Sequence, residues 1–184
     1  MKDIALHIMD IVQNSISAGA TLIITAVLED KVEDNLILII SDNGRGMDQE
    51  TVMKITDPYY TTRTTRSVGL GIPLLRHSAG QAGGGLKITS SPGQGTSITA
   101  TFRRSHFDCP PLGDIPGVIS LLAGCNPSLD FVYRHVIGKS VYVFDTMEIK
   151  EVLEKVPISD PAVISYMKEM IGENLEELLL MPET

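Results

Sequence analysis

The chain has no apolar run approaching the roughly 20 residues needed to cross a bilayer, and Met1-Lys2-Asp3-Ile4 leads into a polar-interrupted helical pattern rather than a leader-peptide core. A cytoplasmic protein with no membrane contact is therefore expected. Cysteine is scarce: Cys109 and Cys125 form no metal-ligand pattern, and two thiols in 184 residues point to a reduced compartment and ordinary unpaired side chains. Basic charge is lacking in one region. Residues 1–104 carry ten Lys/Arg against ten Asp/Glu, whereas residues 105–184 carry five against thirteen, so the net charge of −8 belongs to the C-terminal part. An acidic balance argues against a nucleic-acid partner, which would favour a basic face. The shift also suggests a boundary near residue 105, dividing residues 1–104 from an acidic α/β module at 105–184. With 43% hydrophobic residues, the chain can bury a sizeable core.

From Asp3 to Ala18, apolar residues recur at helical spacing (Ile4, Ile8, Val12), while Asp3, His7, Asp10, Asn14 and Ser17 make a polar stripe. Thr21–Leu28 and Leu36–Ile40 read as strands of a hairpin. The second run is apolar on both faces, as in a central strand, and stops at Ser41-Asp42-Asn43-Gly44. A short helix is expected over Asp48–Ile55, and a polar lid-like loop over Thr56–Val68. Gly69–Gly80 is helical, and Leu86–Ser90 with Thr96–Phe102 forms a second strand pair. Beyond Arg104 the pattern predicts a helix at Ile115–Ala123, a hairpin from Phe131–Val136 and Ser140–Phe144, and helices at Met147–Lys155 and Pro161–Leu180. This part carries no phosphate loop, catalytic Ser/His/Asp spacing or metal cluster.

The order of the polar pieces carries the chemistry. A carboxylate at a buried strand end, Asp42, can accept a hydrogen bond from the exocyclic amine of adenine, and Gly44 and Gly46 let backbone pass close to a ring. Gly69 and Gly71, with Leu70 and Ile72, open a helix whose free N–H groups and dipole suit phosphate oxygens. Arg63 and Arg66 on the lid complement phosphate charge. Asn14 offers a carbonyl oxygen to a hard cation that keeps several waters, and Asp10, one turn earlier, can accept a proton from water or a hydroxyl. His7 reads as a histidine at the edge of this site or hydrogen-bonded to its helix. Tyr59 and Tyr60 read as lid packing, and Arg45 as solvated. His106 and His135 have no evident partner and default to core or surface roles.

Singly, such glycine turns are common. In this order, Asp10–Ala20, Asp42–Met47, Asp57-Pro58-Tyr59-Tyr60-Thr61-Thr62-Arg63, Gly69–Ile72 and Gly93–Thr96 resemble the boxes and lid of the GHKL superfamily, which includes sensor histidine kinases, gyrase-type topoisomerases, MutL proteins and heat-shock chaperones. The resemblance covers about residues 3–103. It implies an α/β Bergerat fold with a mixed sheet backed by helices, ATP and Mg²⁺ as cofactors, Asn14 on the metal, Asp42 on adenine N6, and Thr96 near the adenine through its hydroxyl or a water. It also implies nucleotide contacts from Gly44, Gly46, Met47, Thr61, Thr62, Arg63, Arg66, Gly69, Leu70, Gly71 and Ile72. Two departures matter. Asp10 stands where hydrolytic members carry a glutamate, one methylene longer, and, with only residues 1–2 ahead of the matched segment, the helical dimerisation domain of a two-component sensor is not expected within this sequence. The partners expected are ATP and a separate protein, with homodimerisation open. Three activities fit: a kinase acting on a histidine or serine of another protein in a regulatory role, an ATPase switch, and a nucleotide-sensing module with little turnover.

Overall fold

A computed structural model describes residues 3–56 and 70–180. The expected lid lies outside the described residues from Asp57 to Val68, with Tyr59, Tyr60, Thr61, Thr62, Arg63 and Arg66, as does Gly69 of the expected helix start, whereas Thr56 is helical. Helix α1 (Ile4–Ser17) starts where Asp3 accepts a hydrogen bond from the Leu6 N–H, satisfying one of the donors that a helix start leaves open. It buries Ile4, Ala5, Ile8, Ile11, Val12 and Ser15. Strands β1 (Leu22–Asp30) and β2 (Asn35–Asp42) form the first hairpin, and α2 (Gln49–Thr56) follows. Then come α3 (Gly71–Gln81), β3 (Gly85–Ser91) and β4 (Gly95–Arg103).

The acidic part supplies α4 (Ile115–Cys125), β5 (Asp130–Ile137), β6 (Ser140–Asp145), α5 (Thr146–Leu153) and α6 (Pro161–Leu180). The six strands among the described residues form one mixed sheet of order β3-β4-β2-β1-β5-β6. Every neighbouring pair is antiparallel except β1 with β5, which run parallel from Leu22 opposite Asp130 to Glu29 opposite Ile137. The α4 crossover supplies the connection that parallel pairing requires. The shift in charge near residue 105 therefore falls within one continuous sheet rather than at a break in it. No helix among the described residues is long and apolar enough to span a membrane.

Burial alternates along the strands, as a pleat covered on one side demands. Ile23, Val27, Leu38, Ile40, Ala100, Phe102, Phe131 and Tyr133 are buried beneath the helices, whereas Ile24, Val141 and Val143 on the other face are exposed. The segment between β4 and α4 also reaches the core helix. Carbonyl oxygens of Pro111 and Leu112 accept hydrogen bonds from the N–H groups of Ile4 and Ala5, each at 2.9 Å, so the first turn of α1 is closed by the acidic part.

The same region ties down the far end of β1. Glu29 is buried and accepts from Arg104 at 2.9 Å while facing His135 Nε2 at 2.9 Å; the other His135 nitrogen faces the Tyr133 hydroxyl at 2.7 Å. The bond to His135 comes first among the causes holding the Glu29 carboxyl below its usual range, with Arg104 adding to it against the effect of burial. Burial pushes the Tyr133 hydroxyl well above its ordinary value. His135 is thus a core histidine with two partners.

His7 departs from expectation. It is fully buried, and neither ring nitrogen has a hydrogen-bond partner. The helical stripe places it between the polar and apolar faces, and packing resolves it inward. Burial is the main cause lowering its pKa from 6.5 to about 4, only partly opposed by Asp3. The folded state therefore holds the neutral ring, and this stability is fully present above about pH 6.5 and lost as pH falls toward 4. In urea denaturation, wild type should lose about 2–3 kcal/mol more between pH 7.5 and 4.5 than His7→Leu does; equal losses would show that His7 titrates alike in both states.

Candidate nucleotide site

The end of β2 and the start of β4 build the floor of a cleft. Their antiparallel register sets Asp42 opposite Thr96. Both oxygens of Asp42 are held: Oδ2 accepts from the Ser15 hydroxyl at 2.7 Å, and Oδ1 accepts from the Gly44 N–H at 2.9 Å. Ser15 comes from the sheet-facing side of α1 and also donates weakly to the Ile11 carbonyl at 3.4 Å. The carboxylate is therefore oriented from a helix and a turn at once, with its remaining lone pairs available as acceptors.

Thr96 is held from the other side. Its hydroxyl lies 2.9 Å from Ser90 Oγ, which accepts from the Met47 N–H at 2.8 Å and donates to the Gly95 carbonyl at 2.9 Å. Ser90 lies one residue before the end of β3 and is buried. The two glycine turns interlock: the Arg45 carbonyl accepts from Gly93 N–H at 2.7 Å, and the Arg45 N–H donates to the Ala18 carbonyl at 3.0 Å. Gly46 has φ +63°, and a Cβ there would sit 2.0 Å from the Ser91 carbonyl oxygen. Gly95 has φ +83°, and its Cβ would sit 1.9 Å from the Asp42 carbonyl oxygen. These glycines are thus required by backbone packed on backbone, a stronger constraint than the approach of a ring.

Ile11, Asn14, Ser15, Ser17, Ala18, Asp42, Arg45, Gly46, Met47, Ile55, Ile72, Thr96 and Ile98 line a cleft. Its walls are largely aliphatic, with polar groups gathered at Asp42, Thr96 and Asn14. Asn14 is half-buried, and its amide nitrogen has no hydrogen-bond partner. Asp10, one turn earlier, is exposed. A Cβ on Gly71 would lie 3.0 Å from Asp10 Cβ and 3.6 Å from Asp10 Oδ2, so the start of α3 rests against Asp10. That start has no side-chain cap at Leu70, and Leu70 itself is exposed. Among the described residues no group of three or more His, Cys, Asp and Glu is placed to hold a metal.

Asp10, Asn14, Asp42, Gly44, Gly46, Met47, Gly71, Ile72 and Thr96 thus converge on one region of the fold; Leu70 borders it. Ser15 and Ser90 were missed from sequence. Ser15 was legible as a small polar residue four positions after Ile11 on the apolar face of α1. Ser90 had no comparable signal, because its partners come from the turn after β2 and from the start of β4.

A two-layer α/β fold with a strand-end carboxylate held by a helix and a glycine turn defines a class, and comparison with known proteins identifies it. The chain belongs to the histidine kinase-, DNA gyrase B-, and HSP90-like ATPase family, whose model matches residues 2–106. It is 38% identical over 93 residues to the sensor protein kinase FleS of Pseudomonas aeruginosa, covering 50% of this chain and 23% of that protein. It is 34% identical over 74 residues to the sensor histidine kinase YxdK of Bacillus subtilis, covering 38% of this chain and 23% of that protein. The chain thus matches less than a quarter of the length of each. The solved MutL ATPase domain of Aquifex aeolicus, complexed with ADP, shares the fold with a TM-score of 0.53 at 14% identity, covering 84% of this chain and 70% of that one.

Interlocked turns leave no room for a methyl group at Gly46. Gly46→Ala should cost at least about 2 kcal/mol in chemical denaturation, from the positive φ and the collision with Ser91 together. A variant within about 0.5 kcal/mol of wild type would show that the turns slide apart freely.

Proposed function

We propose that this cleft binds ATP with Mg²⁺ and that the chain hydrolyses the nucleotide or passes its γ-phosphoryl group to a separate protein in a regulatory role. The observation that most supports this reading is Asp42, held by Ser15 and Gly44 opposite Thr96, in a cleft that Asn14 and Ile72 also line, with the start of α3 packed on Asp10 nearby. Aliphatic walls from Ile11, Ile55, Ile72 and Ile98 fit the faces of a purine, and Asp42 accepts its exocyclic amine.

The polar end fits phosphate and metal. Asn14 would hold the cation through its amide oxygen, in keeping with the few protein ligands that Mg²⁺ takes, and its amide nitrogen, which no protein group engages, would be left to donate to a phosphate oxygen. When bound, the metal supplies neutralisation of charge on the phosphoryl oxygens. The start of α3, where Leu70 supplies no side-chain cap, would add backbone N–H groups and the positive end of a helix dipole. Asp10 is exposed beside that start, where its carboxylate can take a proton from an attacking water or hydroxyl.

A second reading, an ATP-driven switch, is favoured by one contact: the carbonyls of Pro111 and Leu112 close the first turn of the helix that carries Asp10 and Asn14. The acidic part is thereby coupled to the site through one rigid element.

Two measurements test the proposal. Asp42→Asn should weaken ATP binding at least about tenfold in calorimetry, since an oriented charged acceptor is replaced by an amide; wild-type affinity would overturn the adenine role. Asp10→Asn should keep ATP affinity and lower Mg²⁺-dependent phosphate release about a hundredfold or more. Unchanged release would remove Asp10 as the base, and tight binding without turnover in wild type would favour a switch or sensing module awaiting a partner.

A further inference from the structure

We infer that Ser90 is a positioning residue that fixes the polarity of the Thr96 hydroxyl, so that Thr96 faces the cleft as an acceptor only and selects a purine carrying an amine at position 6. The inference rests on the nucleotide reading above and adds to it a residue without direct ligand contact.

The case is a count of protons. A serine hydroxyl has one proton to donate and two lone pairs with which to accept. Ser90 Oγ has three neighbours. The Gly95 carbonyl, at 2.9 Å, can only accept, so it takes the Ser90 proton. The Met47 N–H, at 2.8 Å, can only donate, so it takes one lone pair. The remaining lone pair faces Thr96 Oγ1 at 2.9 Å, and that bond forms only if Thr96 donates. The Thr96 proton is then committed to the protein interior, and its lone pairs alone are left for the cleft it lines. Donation runs one way: from the ligand amine, directly or through a water, to Thr96, to Ser90, to the Gly95 carbonyl.

Asp42 reinforces the same polarity. Its oxygens already accept from Ser15 and Gly44, so the floor of the cleft offers a ligand acceptors from both strands. A base presenting an acceptor at position 6 meets lone pairs on both sides. Burial of Ser90 keeps water from replacing its bonds, and its position one residue before the end of the neighbouring strand β3 fixes it through the Ser90–Thr96 register pair.

The test compares ATP with 6-methoxypurine riboside triphosphate, which places an oxygen acceptor at position 6 and leaves N1 unprotonated as in adenine. Dissociation constants are measured with Mg²⁺ on the full chain. Wild type should prefer ATP. In Ser90→Ala the Thr96 hydroxyl is free to turn and donate into the cleft, so the preference should narrow about tenfold, partly through tighter binding of the methoxy compound. Ser90→Cys, which retains a side chain there with a weak donor and acceptor, should narrow it less and serves if the alanine variant fails to fold. A preference that survives in both variants, or equal weakening of both nucleotides, overturns the inference and leaves Ser90 a structural residue. Failure of wild type to bind ATP overturns the nucleotide reading itself, and this inference with it.

Discussion

The register between β2 and β4 is the constraint on which the site depends. It puts Asp42 opposite Thr96, and a slip by one residue would turn one of the two side chains to the other face of the sheet. Several contacts independent of the ladder hold it. Gly46 and Gly95 allow the two turns to approach at distances that any side chain would block, the Arg45 carbonyl bonds to Gly93, and Ser90 bridges the Met47 turn to the Gly95 turn. The chemistry of the floor therefore follows from backbone packing, and the polar side chains are oriented by it rather than orienting it.

A second network stabilises the opposite end of the same strands. Glu29 is a buried acid, and a buried carboxylate without partners would be costly. Here it is satisfied by Arg104 from the end of β4 and by His135 from β5, with Tyr133 completing the histidine. Because these partners come from both sides of residue 105, the network stitches the acidic part to the family-matched part (residues 2–106). Arg103 and Ser105 bind Asp34 in the β1–β2 turn in a similar way, so the chain leaving β4 is anchored before it reaches Pro110.

Much of this was legible in the sequence because it rests on period and punctuation. The helical repeat of Ile4, Ile8 and Val12, the β-branched runs of the strands and the glycine pairs at Gly44/Gly46 and Gly93/Gly95 each signal local structure, and their order carries the resemblance that the family match later bears out. What was not legible depends on contacts distant in sequence. Nothing in Phe131–Val136 says that its neighbour is β1, so the acidic part reads as a separate module although its strands extend the sheet. His7 falls at the margin of a helical stripe, where a small rotation decides between cleft and core. Ser90 gains its meaning only from Met47, Gly95 and Thr96 together.

The parallel pairing of β1 with β5 joins segments roughly a hundred residues apart, and this shapes how the molecule assembles. One edge of β1 is satisfied at once by the hairpin with β2, but the other waits for Asp130–Ile137. Ribosomal synthesis at 5–20 residues per second leaves that edge open for about 5–20 seconds, with the apolar Val27 and the acidic Glu29 lacking their final neighbours. Loop-closure entropy slows the step further once the chain is complete. The family-matched segment can thus emerge well before its sheet has both neighbours, and the central strand is completed only by residues that lie beyond it.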